Sequence, residues 1–298
     1  MLNKRAIIFP GSGAQHFFMG KELDGFSEIL DQASRVLNTD LLQFNEDKSI
    51  YQDNSPLAEV ILMLTGYASF NEVNKRAPIS YVAGQSSGQL TGALVSGMLT
   101  FDEAVQLTYE IAKVEEDIPL SKTRLLTCAN LNIKVANKLL NRSGLKDIYF
   151  ATINSPINFI FGGDIDELKK FAVKLRTWGA KCDFLNMPAF HTILLKKIEP
   201  KISKIINNLN LAPKEPQIPF ISDLDNRWNS SKNWLNKLVK QDTSTSNLDK
   251  NLQTFLKLGV NEFVTVDCGG RLSELVNNSV KNRHVKCKVT NISKTGGA

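Results

Sequence analysis

The stretch that most narrows what this chain can fold into is Ile79-Ser80-Tyr81-Val82-Ala83 running into Gly84-Gln85-Ser86-Ser87-Gly88 and on into the small-residue segment Gln89 to Gly97. A β-type run, a glycine-bracketed turn and a helical segment in that order call for a helix packed back on its strand, the unit of an α/β fold. The same geometry holds the central residue of the turn, Ser86, at a sharp bend with its hydroxyl outward. Taken alone the G-x-S-x-G string is loose, because any strand-to-helix turn favours small side chains.

The rest of the chain extends the α/β reading. Arg5 to Phe9 is strand-like and ends in Pro10-Gly11-Ser12-Gly13, a glycine-rich turn. Met19 to Leu37 is expected to be helical, as is Leu57 to Val73 behind the start signal Asn54-Ser55-Pro56. Phe101 to about Glu116 is a further helix with Asp102 and Glu103 in its first turn. Beyond it the pattern changes. A strand over Arg124 to Asn132, a helix over Val135 to Arg142, a hairpin of Ile148 to Asn154 and Phe159 to Gly162 around Ser155-Pro156, a helix over Ile165 to Trp178 and a strand over Cys182 to Met187 give the order βαββαβ. That is a split, ferredoxin-like unit, expected as a subdomain at 123–189 inserted into a larger, mostly parallel α/β domain made of 1–122 and 190–298. Strand-like Pro219 to Ser222 and Phe263 to Asp267 belong to the larger part, and Asp242 to Asn247 is a low-complexity patch.

At 298 residues and 42% hydrophobic content, the chain is long enough to bury a substantial core. After the charged start, the apolar run Ala6 to Pro10 is too short for a signal peptide, and no stretch approaches the ~20 apolar residues of a membrane span. A soluble, cytoplasmic monomer is therefore the expectation. Four scattered cysteines, Cys128, Cys182, Cys268 and Cys287, form no CxxC pair, so neither a metal site nor a disulfide framework is expected. A net charge of +6 favours acidic or phosphorylated partners, and lysines gather between Lys196 and Lys240. A solvated helix face accounts for most of these lysines, and no nucleic acid is expected.

A serine hydroxyl becomes a nucleophile only when a base takes its proton. The chain has three histidines, His16, His191 and His284. His191 follows Met187-Pro188-Ala189-Phe190, where the inserted unit returns to the larger domain, a natural cleft position.

Three strings then converge. Phe9-Pro10-Gly11-Ser12-Gly13-Ala14-Gln15 resembles the FPGQGSQ string of the malonyl-CoA:acyl-carrier-protein transacylase family, Gly84 to Gln89 resembles its GHSLGE, and Ala189-Phe190-His191 resembles the AFH of polyketide-synthase acyltransferases. Asn154-Ser155-Pro156 looks like the family's NSP turn. The resemblance covers nearly the whole chain. It implies an α/β-hydrolase-like large domain with a parallel sheet beside the ferredoxin-like subdomain, and no cofactor other than the thioester substrates. It implies that Ser86 takes an acyl group from a thioester, acyl-CoA or acyl carrier protein, and passes it to a phosphopantetheine thiol of an acyl carrier protein. His191 would serve as base, the backbone N–H groups of Ser12 and Ser87 as oxyanion hole, and a backbone carbonyl at or near Asn247 as the group orienting the imidazole.

Departures from the family bear on the substrate. The position matching its carboxylate-binding arginine is Ile111, which cannot pair with a malonyl carboxylate. The expected acyl group is therefore uncharged, unless Lys113 or Arg124 reaches in from elsewhere. Gln85, Ser87 and Gln89 replace the family's His, Leu and Glu, and Val60 stands for a pocket glutamine. Phe190 is the residue that narrows the pocket in malonyl-type acyltransferases, and Asp267-Cys268-Gly269-Gly270 stands for the EVGPG turn. Gln85, Ile111, Phe190 and Val60 are thus the candidate acyl-pocket residues. Transfer to a carrier protein and hydrolytic removal of acyl groups from the carrier proteins of a polyketide synthase both remain open at this point. A docking module without catalysis and a general α/β-hydrolase fit the strings less well.

Overall fold

A computed structural model describes residues 4–48, 55–120, 122–267, 270–281 and 283–292. Cys268 and Gly269 of the late glycine turn, and Asn54 of the helix-start signal, lie outside the described residues.

The strands are β1 (Arg5–Phe9), β2 (Tyr81–Gly84), β3 (Thr123–Ala129), β4 (Ile148–Ser155), β5 (Asn158–Asp164), β6 (Phe184–Leu185), β7 (Phe220–Ile221), β8 (Ser246–Asn247), β9 (Glu262–Thr265) and β10 (Lys288–Asn291). The helices are α1 (Phe26–Leu37), α2 (Leu41–Asn45), α3 (Pro56–Arg76), α4 (Gly88–Val95), α5 (Phe101–Glu116), α6 (Ile133–Ser143), α7 (Ile165–Thr177), α8 (Glu199–Asn208), α9 (Trp234–Val239), α10 (Leu248–Lys257) and α11 (Arg271–Lys281).

One sheet is parallel throughout, in the order β10-β9-β1-β2-β7. Its centre explains the unbroken apolar run of β1. Ile7 and Phe9 face one way, into a core shared with α3, α4 and α5, while Ala6 and Ile8 face the other, against α10 and α11. A strand buried on both faces has no polar alternation to display. Helix α3 is buried on most sides; the Ser55 hydroxyl caps it by accepting from the Ala58 amide, and Pro56 sits in its first turn. Helix α5 starts on a reciprocal cap between Thr100 and Glu103.

The second sheet runs β6-β3-β5-β4-β8. Its first four strands, with α6 and α7 against them, are the βαββαβ unit, and its core holds Phe159, Phe161 and Phe171 in edge-to-face contact. Cys128 and Cys182, far apart in sequence, are both buried in this core as free thiols. The fifth strand, β8, comes from the larger lobe and lies parallel to β4, pairing Thr152 with Ser246 and Ile153 with Asn247. The low-complexity patch therefore contains the seam between the lobes.

Two local expectations need correction. The segment from Met19 is not continuously helical: left-handed Phe18 and Gly25, at φ 61° and 70°, hold it in turns until α1 begins at Phe26. Strand β10 went unread because it is a polar edge strand with no buried residue to set a pattern. Among the described residues, no helix is long and apolar enough to cross a membrane.

The start of α4 crosses the end of β1 so closely that a Cβ on Gly88 would lie 2.6 Å from the carbonyl oxygens of Phe9 and Pro10. Both obstacles are backbone, which yields poorly. Gly88→Ala is expected to lose about 1–3 kcal/mol of stability in urea unfolding, the usual range for overpacking; an unchanged midpoint would show that the crossing has slack.

Candidate active site

Ser86 sits on the bend between β2 and α4 with φ 54°, a strained angle for a residue with a side chain. The bend is held by close backbone packing, since a Cβ on Gly84 would fall 2.1 Å from the Gly88 carbonyl oxygen. It is also held electrostatically: the Ser86 amide donates to Asp223 Oδ2 at 2.9 Å. The Ser86 hydroxyl meets His191 Nε2 at 2.8 Å, and His191 Nδ1 meets the Gln241 carbonyl at 2.8 Å. A carbonyl only accepts, so Nδ1 carries the hydrogen and Nε2 is free to accept from Ser86. His191 itself is buried and left-handed, at φ 61°.

The orienting carbonyl is thus that of Gln241, not of Asn247. The 3₁₀ turn Gln241–Thr243 reaches the imidazole first. Asn247 is committed elsewhere: its amide donates to the Asp223 carbonyl at 2.6 Å, its own carbonyl accepts from Asn226 at 2.8 Å, and its side chain caps α10.

Asp223 is the residue that the sequence did not single out. It is fully buried just after β7, and its carboxylate accepts from the Ser86 amide, from the Ser246 hydroxyl at 2.5 Å and from the Gln241 side-chain amide at 3.2 Å. Burial pushes its carboxyl above the ordinary range, with the His191 ring and these donors pulling it back. No motif string contains it, and an aspartate after a short strand carries no signal without its partners.

Ser12 and Ser87 stand side by side, hydroxyls 3.2 Å apart, next to Ser86. Gln85 leaves the bend toward the smaller lobe, where its side-chain amide donates to Asn154 Oδ1 at 2.7 Å. A cleft of about 550 Å³ opens between the lobes, lined by Ser12, Gln85, Ser86, Asn154, Phe190 and His191 among others. That is within the usual size for a small-molecule site. His16 lies in its wall, with Nδ1 2.9 Å from the Phe17 carbonyl. Arg271 is an exposed residue of the same cleft.

Behind Ser86 is a narrower chamber bounded by Ile111, Thr108, Leu90 and Ser87. Ile111 occupies it as expected, whereas Val60 does not line it: Val60 is fully buried in the core, and the neighbouring Glu59 is the residue that faces the cleft. Adjacent helix positions point about 100° apart, which is enough to exchange the two. Phe190, half-buried, lines the wide cleft rather than the chamber. Neither spare cation enters. Lys113 pairs with Glu110 on the exposed face of α5, and Arg124 is bonded to the carbonyls of Leu120 and Thr123. Instead the chamber holds Glu59, Glu115 and Asp242. Burial raises the pKa of all three, and the Asp242 and Glu59 carboxylates push Glu115 further up.

The fold and site define a class: a two-lobed α/β protein with a serine–histidine pair where a parallel-sheet lobe meets a ferredoxin-like lobe. Comparison with known proteins agrees on the fold. The malonyl CoA-acyl carrier protein transacylase of Staphylococcus aureus is 24% identical over 299 residues, covering 96% of this chain and 94% of that protein. Probable polyketide synthase 14 of Dictyostelium discoideum is 28% identical over 288 residues, 87% of this chain, which spans only 9% of that much longer protein. A malonyl-transacylase solved in complex with a type II polyketide synthase acyl-carrier protein superposes with a TM-score of 0.88 at 18% identity, covering 98% of this chain and 97% of its own. No protein-family model matches the chain. Its relatives and structural neighbours are thus malonyl-CoA:acyl-carrier-protein transacylases, with polyketide synthases among the relatives.

Because Glu59, Glu115 and Asp242 have raised pKa values in the folded state, that state binds more protons than the unfolded chain in the window opening at the ordinary values, 4.5 for Glu and 3.8 for Asp. Their contribution to stability is therefore full below that window and is lost as pH rises through it. Glu115→Gln is expected to flatten this decline and to leave the protein more stable than wild type at neutral pH. Urea unfolding across a pH series checks it, and identical slopes would contradict the assignment.

Proposed function

We propose that this protein is an acyltransferase that moves an acyl group, other than malonyl, from a thioester to the phosphopantetheine thiol of an acyl carrier protein. The observation that carries the reading is the 2.8 Å contact of Ser86 Oγ with His191 Nε2, with the far nitrogen on the Gln241 carbonyl, in a cleft between two lobes. Similarity to transacylases along most of the chain supports it.

In the first half-reaction, Ser86 Oγ attacks the thioester carbon while its proton passes to His191 Nε2. The C–S bond breaks, the departing sulfur takes the proton from the imidazolium, and an acyl-serine remains. The second half-reaction is the reverse, with the carrier's thiol giving its proton to Nε2 and its sulfur attacking the ester. Nδ1–H on a neutral carbonyl keeps the tautomer fixed through both steps. The Ser12 and Ser87 amides are assigned to the oxyanion. Backbone donors do not depend on side-chain identity, so serine at 12 and 87 preserves the hole.

A malonyl carboxylate in the Ile111 chamber would meet no lysine or arginine among the lining residues and would face three acids. An unpaired buried charge costs several kcal/mol, which corresponds to at least about 100-fold in rate. Intact-mass analysis after exposure to acyl-CoA thioesters is expected to show acylation of the wild type, none of Ser86→Ala, and malonyl loading at least about 100-fold slower than the best acyl group lacking a carboxylate. Preferential malonyl loading would overturn the substrate reading.

The 3₁₀ turn Ile193–Ile198 follows His191 directly and presents exposed Lys196 and Lys197, with exposed Ile193 beside them. This surface is assigned to an acidic carrier-protein helix. Reversing both lysines to glutamate is expected to slow transfer to carrier protein about tenfold at low salt, with little effect on loading from acyl-CoA. Equal rates for the two proteins would remove this surface from the interface.

A further inference from the structure

We propose that the chamber behind Ser86 is a subsite for a short acyl chain that ends in an ammonium group. This rests on the acyltransferase reading and names the substrate class for the same site.

Glu59 on α3, Glu115 on α5 and Asp242 on the 3₁₀ turn after α9 reach one chamber from three separate elements. Glu59 and Asp242 are 5% and 6% exposed. No lysine or arginine lines the chamber, and none pairs with any of the three among the described residues. Acids gathered this way, with no countercharge, are a costly arrangement that folding alone does not require.

A second observation points to what is missing. Glu59 Oε1 accepts from the Gln15 side chain, while Glu59 Oε2 is buried without a donor in good hydrogen-bond geometry, the Ser12 and Ser87 hydroxyls lying near enough only to pull the carboxyl's pKa down. A buried carboxylate oxygen left open in the wall of a chamber that also contains Ser86 calls for a donor from a ligand. Glu115 and Asp242 lie beside each other in the same wall, near enough for each to shift the other's pKa, and their oxygens face the same space.

Size selects among cations. The free volume is about 20 Å³, room for roughly one water-sized group. An ammonium fits that space, and a planar guanidinium does not. The ammonium's N–H donors suit the open Glu59 oxygen, with Glu115 and Asp242 in the same wall. Ile111 and Leu90 supply apolar wall for a short methylene stem. A metal ion is a poorer occupant, because among the described residues no three acidic, histidine or cysteine side chains are arranged to hold one. The substitution of isoleucine for a carboxylate-binding arginine and the presence of these acids are thus two halves of one change, in which the charge preference of the chamber is reversed.

The test compares β-alanyl and butyryl thioesters of N-acetylcysteamine, which are the same length and differ in ammonium against methyl. Loading of Ser86 in the full chain is followed by intact mass. The β-alanyl group is expected to load at least about tenfold faster, and the β-alanyl to butyryl ratio to fall by about tenfold in Glu59→Gln and in Glu115→Gln. Butyryl loading as fast as β-alanyl in the wild type, or a ratio indifferent to both substitutions, would overturn the subsite. Should neither thioester load Ser86, the acyltransferase reading fails, and calorimetry of the same two thioesters with Ser86→Ala still decides the subsite. Tighter binding of the β-alanyl compound that is lost with Glu59→Gln supports it; equal affinities exclude it.

Discussion

A single buried carboxylate, that of Asp223, ties together the parts that must not move relative to one another. It receives the amide of Ser86, the side chain of Gln241 and the hydroxyl of Ser246. Through the first it fixes the bend that exposes the candidate nucleophile. Through the second it fixes the residue whose carbonyl orients His191. Through the third it anchors β8, the strand that the larger lobe lends to the smaller lobe's sheet. A charge-assisted hydrogen bond is shorter and stronger than a neutral one, and three at one buried anion make a rigid node. Asp223 makes no hydrogen bond to the imidazole, so its part is to position the pair rather than to join it.

Much of this was legible in the sequence wherever local pattern and fold coincide. The strand–turn–helix around Ser86, the βαββαβ order and the pairing of Ser86 with His191 all follow from short strings whose residue types have a physical reason. What was not legible depends on contacts between distant segments. Asp223 looks like any aspartate after a strand until Ser86, Gln241 and Ser246 arrive. The orienting carbonyl fell six positions from the place assigned to it, because a backbone group carries no side-chain signature and the carbonyl belongs to the 3₁₀ turn Gln241–Thr243, ahead of β8. Val60 and Glu59 exchanged places for a related reason: α3 is buried on most sides, so its sequence does not say which face meets the cleft.

On the proposed reading, the chamber is where a change of acyl specificity is built. Replacing an arginine by isoleucine removes a cation and would by itself leave a neutral slot tolerant of many small acyl groups. Adding acids goes further, since it makes an anionic ligand repulsive as well as unpaired, and discrimination is a difference between two affinities. Glu115 lies one helical turn beyond Ile111 on α5, and residues four apart share a face. Ile111 and Glu115 therefore occupy one stripe of one helix.

That stripe sits close to the reacting atoms, which constrains how the charge is held. Three carboxylates left ionised next to a serine would oppose the negative charge that develops on the attacked carbonyl. Burial and mutual repulsion raise their pKa values, which makes ionising all three at once costly and limits that opposition. The ammonium proposed for the chamber would favour the ionised form and offset its charge at the same time. On the proposed reading, Ser86 and His191 act beside acids whose charge is held down by burial when the chamber is empty and neutralised by the ligand when it is filled.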